Sequence, residues 1–148
     1  MRVVVQRVSQ ARVEVDGEIT GTIGTGMVLL CGFERGDGER ELEFMAEKIL
    51  HLRIFADSVQ KMNLSVKDIK GEILSISQFT LVSDIQKGRR PDFTDAEEPE
   101  KARSLYRCFN ERLSRDVTVA EGIFGARMNV HLVNDGPVTF YLEKKFPA

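Results

Sequence analysis

The chain has 148 residues, of which 42% are hydrophobic and 30% are charged, and its formal net charge is −2. This composition is typical of a single soluble globular domain, residues 1–148, whose overall charge does not attract nucleic acid, so any polyanion site must be a local patch. No apolar run is long enough for a membrane span or a signal peptide, and we expect a cytoplasmic protein.

Cysteine and histidine usage predicts neither a disulfide framework nor a metal site. Cys31 lies in an apolar run and Cys108 in a helical segment, so both are expected to be structural. His51 and His131 are isolated from each other and from the cysteines, outside any spacing typical of metal ligands. We therefore expect no metal and no cofactor.

The first 33 residues predict three or four antiparallel strands. Residues 1–8 and 12–15 alternate partly, Asp16-Gly17 is a hairpin signal, and residues 18–23 supply the return strand. Residues 27–33 form a strongly apolar strand. The glycines before it precede a strand rather than a helix, so they do not form a phosphate-binding loop.

Two amphipathic helices are predicted in the middle of the chain. The first has apolar residues at positions i, i+3, i+4 and i+7, with Asp37 as a candidate cap and an end near His51. The second begins near Pro99, after an acidic segment, and ends near Ser114. Between them we expect strands at residues 52–55 and 72–78, and a hairpin loop at residues 61–63.

The last third of the chain is predicted to be β-rich, with strands at residues 117–120, 128–134 and 138–142. Strands at both ends and helices between them indicate an α/β fold. We expect a single mixed, largely antiparallel β-sheet with two amphipathic helices packed on it.

A polar segment interrupts the apolar pattern at the end of the predicted strand 72–78. Ser77, Gln78 and Thr80 place three hydrogen-bonding side chains where the strand should be largely buried. A buried polar group without a partner costs about 1–3 kcal/mol, so these groups need partners. The residues alone leave two interpretations open: hydroxyl groups that fix the next loop, or the floor of a binding site.

Two further segments are unusual. Residues 87–93 form a basic loop closed by a proline and an aromatic residue, either simply solvated or a phosphate clamp that uses Arg89 and Arg90. Residues 134–139, Asn-Asp-Gly-Pro-Val-Thr, are typical of a tight turn between two strands, and alone they favour a simple hairpin.

Together, Ser-Gln-Phe-Thr-Leu at 77–81 and the segment 134–139 resemble the two signature motifs of the D-aminoacyl-tRNA deacylases. The resemblance runs nearly end to end and includes residues 5–8, 61–65, 87–91 and 124–126. It implies an enzyme that hydrolyses the ester between a D-amino acid and the terminal adenosine of tRNA. It also implies acceptance of glycine, as in glycine mischarged on tRNA(Ala), rejection of L-aminoacyl-tRNA, and a homodimer with its active sites at the subunit interface.

The resemblance implies roles for four groups of residues. They are Ser77, Gln78, Phe79 and Thr80 in the catalytic pocket; Gly136 and Pro137, joined by a cis peptide and inserted into the partner's pocket, as the chirality filter; Arg7, Asn134 and Thr139 in support; and Lys87, Arg89 and Arg90 in tRNA binding. Arg127 departs from the acidic residue associated with its position in many relatives, and no role is assigned to it.

The implied chemistry needs an oxyanion site more than a strong nucleophile. The backbone N–H groups of Phe79 and Thr80 are candidates for that site. Thr80 itself is a candidate nucleophile, but the sequence places no histidine or lysine to activate it. We therefore expect attack by water, which the 2′-hydroxyl of the terminal ribose can assist, with Thr80 as an orienting hydroxyl.

Two rival functions remain at this point. A non-catalytic nucleic-acid-binding dimer would use the basic loop, but it leaves the polar residues 77–80 unexplained. A peptidase or general esterase acting through Thr80 would lack a base.

Overall fold

Eight strands and two α-helices form the fold, and the computed structural model describes every residue from Met1 to Ala148. In chain order the elements are β1 (Arg2–Val15), β2 (Glu18–Ile23), β3 (Gly26–Gly32), α1 (Glu39–His51), β4 (Phe55–Ala56), β5 (Met62–Leu64), β6 (Glu72–Ser77), a 3₁₀ turn (Phe79–Leu81), α2 (Pro99–Ser114), β7 (Thr118–Glu121) and β8 (Asn129–Glu143).

The main sheet is mixed. Its strand order is β2-β1-β3-β6-β7, and β8 also pairs with β1. Strand β1 is antiparallel to β2, β3 and β8, whereas β3–β6 and β6–β7 are parallel. Helix α1 lies in the crossover from β3 to β6, and α2 lies in the crossover from β6 to β7. Each crossover returns the chain to the same end of the sheet, so the two strands that it joins are parallel. The expected α/β fold with one mixed main sheet and two helices is confirmed, but within that sheet antiparallel pairing is confined to the neighbours of β1. The short strands β4 and β5 form a separate antiparallel pair.

Both helices pack on one face of the sheet and enclose the larger core. The predicted apolar stripe of α1 is buried there, with Leu42, Met45 and Ile49 inaccessible to solvent. Phe109 of α2 and the thiol of Cys31 are fully buried in the same core. A smaller core that includes Val28 and Leu74 covers the opposite face, where the sheet curls back on itself.

The predicted hairpin turn at residues 134–137 is wrong, because β8 runs through it as one strand. Both halves of β8 pair with β1, which is itself continuous across the expected break between residues 8 and 12. In the β1–β8 register Gln6 faces Thr139 and Val8 faces Asn134. Four residues of β8 therefore lie opposite one residue of β1, and the surplus chain leaves the sheet as a bulge. We call residues 135–137 the projecting turn.

Three smaller predictions also need correction. Gly38, not Asp37, is the N-cap of α1; the Asp37 carboxylate is buried and accepts from Glu34 N at 2.7 Å and contacts Lys145 Nζ at 3.1 Å. The strand expected at 52–55 is reduced to β4, and Met62 and Asn63 belong to β5 rather than to a loop. The turn lies earlier, because Asp57 Oδ1 accepts from the N–H groups of residues 59 and 61.

Neither helix combines the length and apolar character that a membrane crossing would need. No group of three or more histidine, cysteine, aspartate or glutamate side chains is arranged to hold a metal ion. Both cysteines are free thiols, and burial raises the pKa of Cys31 to about 12.

Candidate active site

A cleft of about 440 Å³ opens at the carboxyl end of β6, where the strand meets the 3₁₀ turn. Ser77, Gln78 and Phe79 line it from the strand end. Its walls are small or apolar residues of α2, of the loop before β8 and of β8 itself: Pro99, Ala102, Phe124, Gly125, Ala126, Met128 and Val130. The carboxyl end of parallel strands is the usual ligand position in sheets of this kind. The volume lies in the range of small-molecule sites.

The polar strand end is held in place while two of its backbone donors stay free. Gln78 N–H donates to Cys31 O at 2.7 Å, and its side-chain Nε2 donates to Thr80 Oγ1 at 2.5 Å. The hydrogen bonds of the 3₁₀ turn run from Leu81 N to Gln78 O and from Val82 N to Phe79 O. The N–H groups of Phe79 and Thr80 precede these donors, and the turn does not use them. Thr80 is exposed beside the cleft rather than part of its lining.

Glu97 is the one ionisable side chain in the cleft lining, and the sequence analysis missed it. Its side chain is only 5% exposed and contacts Lys101 Nζ at 3.2 Å. Burial opposes ionisation, but donation from the N–H groups of Glu98 and Gly36 and the nearby Lys101 ammonium outweigh it and lower the pKa of Glu97. The cleft therefore carries one fixed negative charge at neutral pH. Nothing in the acidic run around Glu97 signals that this carboxylate turns inward.

The projecting turn is held by three side chains. Arg7 Nε donates to Asp135 O at 2.9 Å, and Arg7 Nη1 donates to Ile54 O at 2.8 Å. Asn134 Oδ1 accepts from Val138 N at 2.7 Å, and Asn134 Nδ2 donates to Thr139 Oγ1 at 2.9 Å. Arg7, Asn134 and Thr139 thus surround the base of the turn.

At the tip of the projecting turn, the Gly136–Pro137 peptide is cis, as the resemblance implies, and Gly136 has a φ of +146°. A Cβ at Gly136 would lie 2.6 Å from Val138 Cγ2 and 2.8 Å from Val138 N. The backbone at this position has no room for a larger residue.

In the strand register, the cleft and the projecting turn of one chain lie at different levels of the sheet. Ser77 aligns with Cys31 of β3, whereas Arg7, beside the turn, aligns with Met27, and Met27 aligns with Ile73. Four residues of β6 and three strand spacings separate the two levels, about 13 Å along the strands and about 14 Å across them. None of residues 135–137 lines the cleft of its own chain.

The basic loop is anchored beside the cleft. Asp84 and Asp92 exchange backbone hydrogen bonds of 2.8 and 2.9 Å that close it. Phe93, the last residue of the loop, packs edge-to-face on Phe79 with ring centroids 5.2 Å apart. The three cations of the loop are exposed and form no ion pair: Lys87, Arg89 and Arg90.

Neither histidine belongs to the cleft. His51 lies against Glu47 on α1 at 3.2 Å, and His131 lies against Glu14 of β1 at 3.4 Å. The exposed Arg127 also lies outside the cleft lining.

Comparisons with known proteins cover almost the whole chain. The family model described as D-Tyr-tRNA(Tyr) deacylase matches residues 4–143. A curated D-aminoacyl-tRNA deacylase of Magnetococcus marinus is 54% identical over 145 residues, 97% of this chain and 96% of the relative.

Two solved structures share the fold. A protein named c-Myc DNA Unwinding Element Binding Protein superposes with a TM-score of 0.94 at 45% identity, over 99% of this chain and 100% of that one. A probable eukaryotic D-amino acid tRNA deacylase superposes with a TM-score of 0.82 over 95% of this chain and 97% of that one. At 19% identity, this second likeness concerns the fold alone.

Proposed function

The chain belongs to the D-Tyr-tRNA(Tyr) deacylase family, and from that premise we propose that it hydrolyses the ester bond of D-aminoacyl-tRNA to free amino acid and tRNA. The observation that carries the proposal is the cleft whose floor is Ser77, Gln78 and Phe79 and whose walls are apolar except for Glu97, with two unused backbone donors beside it. Such a substrate is found in the cytoplasm, the compartment that the composition predicts.

The cleft suits the 3′ end of an aminoacylated RNA. Flat apolar walls formed by residues such as Phe124 and Met128 can pack against an adenine ring. The polar floor then faces the ribose and the ester. The Arg103 guanidinium lies over the Phe124 ring, 4.9 Å from its centroid, which helps to fix that wall.

Hydrolysis in this cleft needs stabilisation of the developing oxyanion. We assign that task to the N–H groups of Phe79 and Thr80; in other enzymes, removal of one such donor lowers the rate by about 10²–10³. Water is the nucleophile, assisted by the ribose 2′-hydroxyl. The Thr80 hydroxyl accepts a hydrogen bond from Gln78 and has no lysine or histidine partner. It therefore acts as an orienting group.

Replacement of Thr80 by alanine tests this assignment. We expect kcat for D-Tyr-tRNA to fall by no more than about tenfold, because the backbone donors and the water remain in place. Single-turnover kinetics on acid-quenched samples would measure the rate and detect any acyl-enzyme. A trapped acyl–Thr80 ester would make Thr80 the nucleophile.

Chiral selection is assigned to the projecting turn of a second copy of the chain. Because the turn does not line the cleft of its own chain, we propose a homodimer in which Gly136 and Pro137 of each subunit enter the partner's cleft. An apolar pocket that senses one methylene discriminates by only about 1–3 kcal/mol. A backbone wall excludes the side chain of an L-amino acid by steric clash instead. Glycine, which has no side chain, passes the wall, so glycyl-tRNA is also a substrate.

The proposed function is tested by hydrolysis of matched D-Tyr-tRNA and L-Tyr-tRNA at low enzyme concentration. Loss of the D ester with the L ester spared is the expected result. Equal hydrolysis of both would keep the esterase and reject the chiral filter. Binding without hydrolysis of either would favour a non-catalytic nucleic-acid-binding dimer.

The basic loop is proposed to hold phosphates of the tRNA. Replacing Lys87, Arg89 and Arg90 together by glutamine should raise KM and reduce the slope of log KM against log salt by about 2–3, since each phosphate contact contributes about 0.7–0.9. Steady-state kinetics at several KCl concentrations between about 50 and 200 mM would measure KM and its salt dependence. An unchanged KM and slope would show that the loop is merely solvated.

A further inference from the structure

The largest groove of the protein is not the cleft but a trough of about 720 Å³ along the exposed face of α1. The C-terminal segment forms its other wall. Phe44 of α1 and Phe146 of that segment meet edge-to-face there, with centroids 6.2 Å apart. Phe44 is 36% exposed, which is high for a large apolar side chain on an ordered helix. We call this feature the α1 groove.

Cations without a carboxylate partner surround the two rings. The Arg40 guanidinium lies 4.3 Å from the centroid of Phe146, and Lys144 Nζ lies 4.8 Å from both rings. Lys48 Nζ lies 5.7 Å from Phe44. None of these three cations forms a salt bridge. The aromatic faces hold them in place, which lowers the entropy lost when they bind an anion.

Two carboxylates also line the α1 groove, and they do not cancel its charge. Glu43 forms no ion pair and the nearest partner of Glu47 is His51, at 3.2 Å, so both carboxylate charges remain and are outnumbered by the cations. Arg53, at the far end of the groove, adds a fourth cation. A concentration of unpaired cations and exposed rings in a protein of net charge −2 is a local polyanion site, and under the proposed function the polyanion is the tRNA.

One end of the α1 groove lies close to the projecting turn, which is proposed to enter the cleft of a second subunit. Arg53 precedes Ile54, and Arg7 bridges Ile54 O and Asp135 O at 2.8 and 2.9 Å. One end of the groove therefore adjoins the projecting turn. In the homodimer proposed above that turn enters the partner's cleft, so the groove continues outward from the partner's cleft rather than from its own.

We propose that the α1 groove binds the acceptor arm of the tRNA whose 3′ end occupies the cleft of the partner subunit. Arg40, Lys48 and Lys144 contact backbone phosphates, so each tRNA is held by both subunits. This inference rests on the proposed function and names the surface that the RNA body uses.

Binding of an uncharged tRNA transcript tests the α1 groove whether or not the chain hydrolyses esters. The variant Arg40→Gln, Lys48→Gln, Lys144→Gln should raise Kd about tenfold or more and reduce the slope of log Kd against log salt by about 2–3. The matched control is Lys70→Gln, Arg107→Gln, Arg115→Gln, which removes three exposed cations that also lack ion pairs. Fluorescence anisotropy at several salt concentrations measures both quantities. Equal Kd values and slopes for the two variants would overturn the proposal.

A short substrate separates RNA docking from damage to the cleft. D-tyrosyl adenosine ends at the cleft and cannot reach the α1 groove. The groove variant should hydrolyse this ester at the wild-type rate while its KM for full-length D-Tyr-tRNA rises. An equal loss on both substrates would overturn the proposal. If the wild-type protein hydrolyses neither ester, the proposed function fails, and tRNA binding still decides the role of the groove.

Heterodimers test whether the groove acts across the interface. In each, one subunit has its cleft filled by Ala126→Trp, so that only the other subunit can react. Placing the three groove substitutions in the filled subunit should raise KM for D-Tyr-tRNA, whereas placing them in the reacting subunit should not. The opposite result, or equal KM values, would overturn the arrangement across the interface.

Discussion

Gly136→Ala is expected to lower kcat/KM for D-Tyr-tRNA by about 100-fold, since a displacement of about 1 Å in a positioning group can cost that much. The added Cβ would lie 2.6 Å from Val138 Cγ2, 2.8 Å from Val138 N and 3.3 Å from Arg7 Nη2. Relief of these clashes must move the backbone of the projecting turn. Steady-state kinetics measure the effect, and circular dichroism establishes that the variant is folded.

The matched control for Gly136→Ala is Gly17→Ala in the β1–β2 turn. Gly17 also has a positive φ, +79°, but no atom lies within 4 Å of the position that an added Cβ would take. Both variants carry the strain of a non-glycine residue at positive φ, about 1–3 kcal/mol. Only Gly136→Ala should lose activity. Equal kinetics in the two variants would show that the position of the turn does not matter for hydrolysis.

Complementation shows which cleft the projecting turn serves. Gly136→Ala has an intact cleft and a displaced turn, whereas Ala126→Trp has an intact turn and a filled cleft. If the turn acts on the partner, remixed subunits regain about a quarter of wild-type activity, because half the dimers are mixed and each has one complete site. If the turn acted on its own chain, the mixture would stay inactive.

The elements that the sequence predicted well are those whose signals are local. The apolar stripe of α1, the proline at the start of α2 and the apolar run of β6 each depend on residues close in the chain. Strand β8 was missed for the opposite reason. Its residues 134–137 carry a strong turn signal, but pairing of both halves with β1, more than 100 residues away, makes them a bulge in one strand.

In the candidate site, too, the residues with a local sequence signal were predicted and those that depend on distant contacts were not. The polar residues 77–80 were detectable because they interrupt an apolar strand. Glu97 was not detectable, because the group that holds its carboxylate in place, the N–H of Gly36, lies 61 residues away in the chain. The separation of Ser77 from Gly136 also needed the register of three strand pairs, which no pattern of adjacent residues contains.

The surface of β8 explains how two chains can meet at the projecting turn. Val133 before the turn is 47% exposed, and Phe140 after it is 39% exposed. Val130 and Tyr141 are also exposed on the same strand. Apolar residues on both sides of a segment that is proposed to enter a partner are typical of an interface that excludes water. We propose this surface as the dimer interface.

Val133→Glu with Phe140→Glu is therefore expected to give a folded monomer that has lost activity by about 100-fold or more, because each cleft then lacks the turn that positions its substrate. Charges at the centre of an apolar interface oppose association, whereas both positions are exposed in the single chain, so stability of the subunit should change little. Sedimentation velocity would measure the mass, and D-Tyr-tRNA hydrolysis the activity. Ile19→Glu, at a more exposed apolar position on β2 (57%), is the control and should stay dimeric and active. A monomer with full activity and full rejection of L-Tyr-tRNA would show that one chain carries a complete site, and the assignment of Gly136 and Pro137 to the partner's cleft would then be wrong.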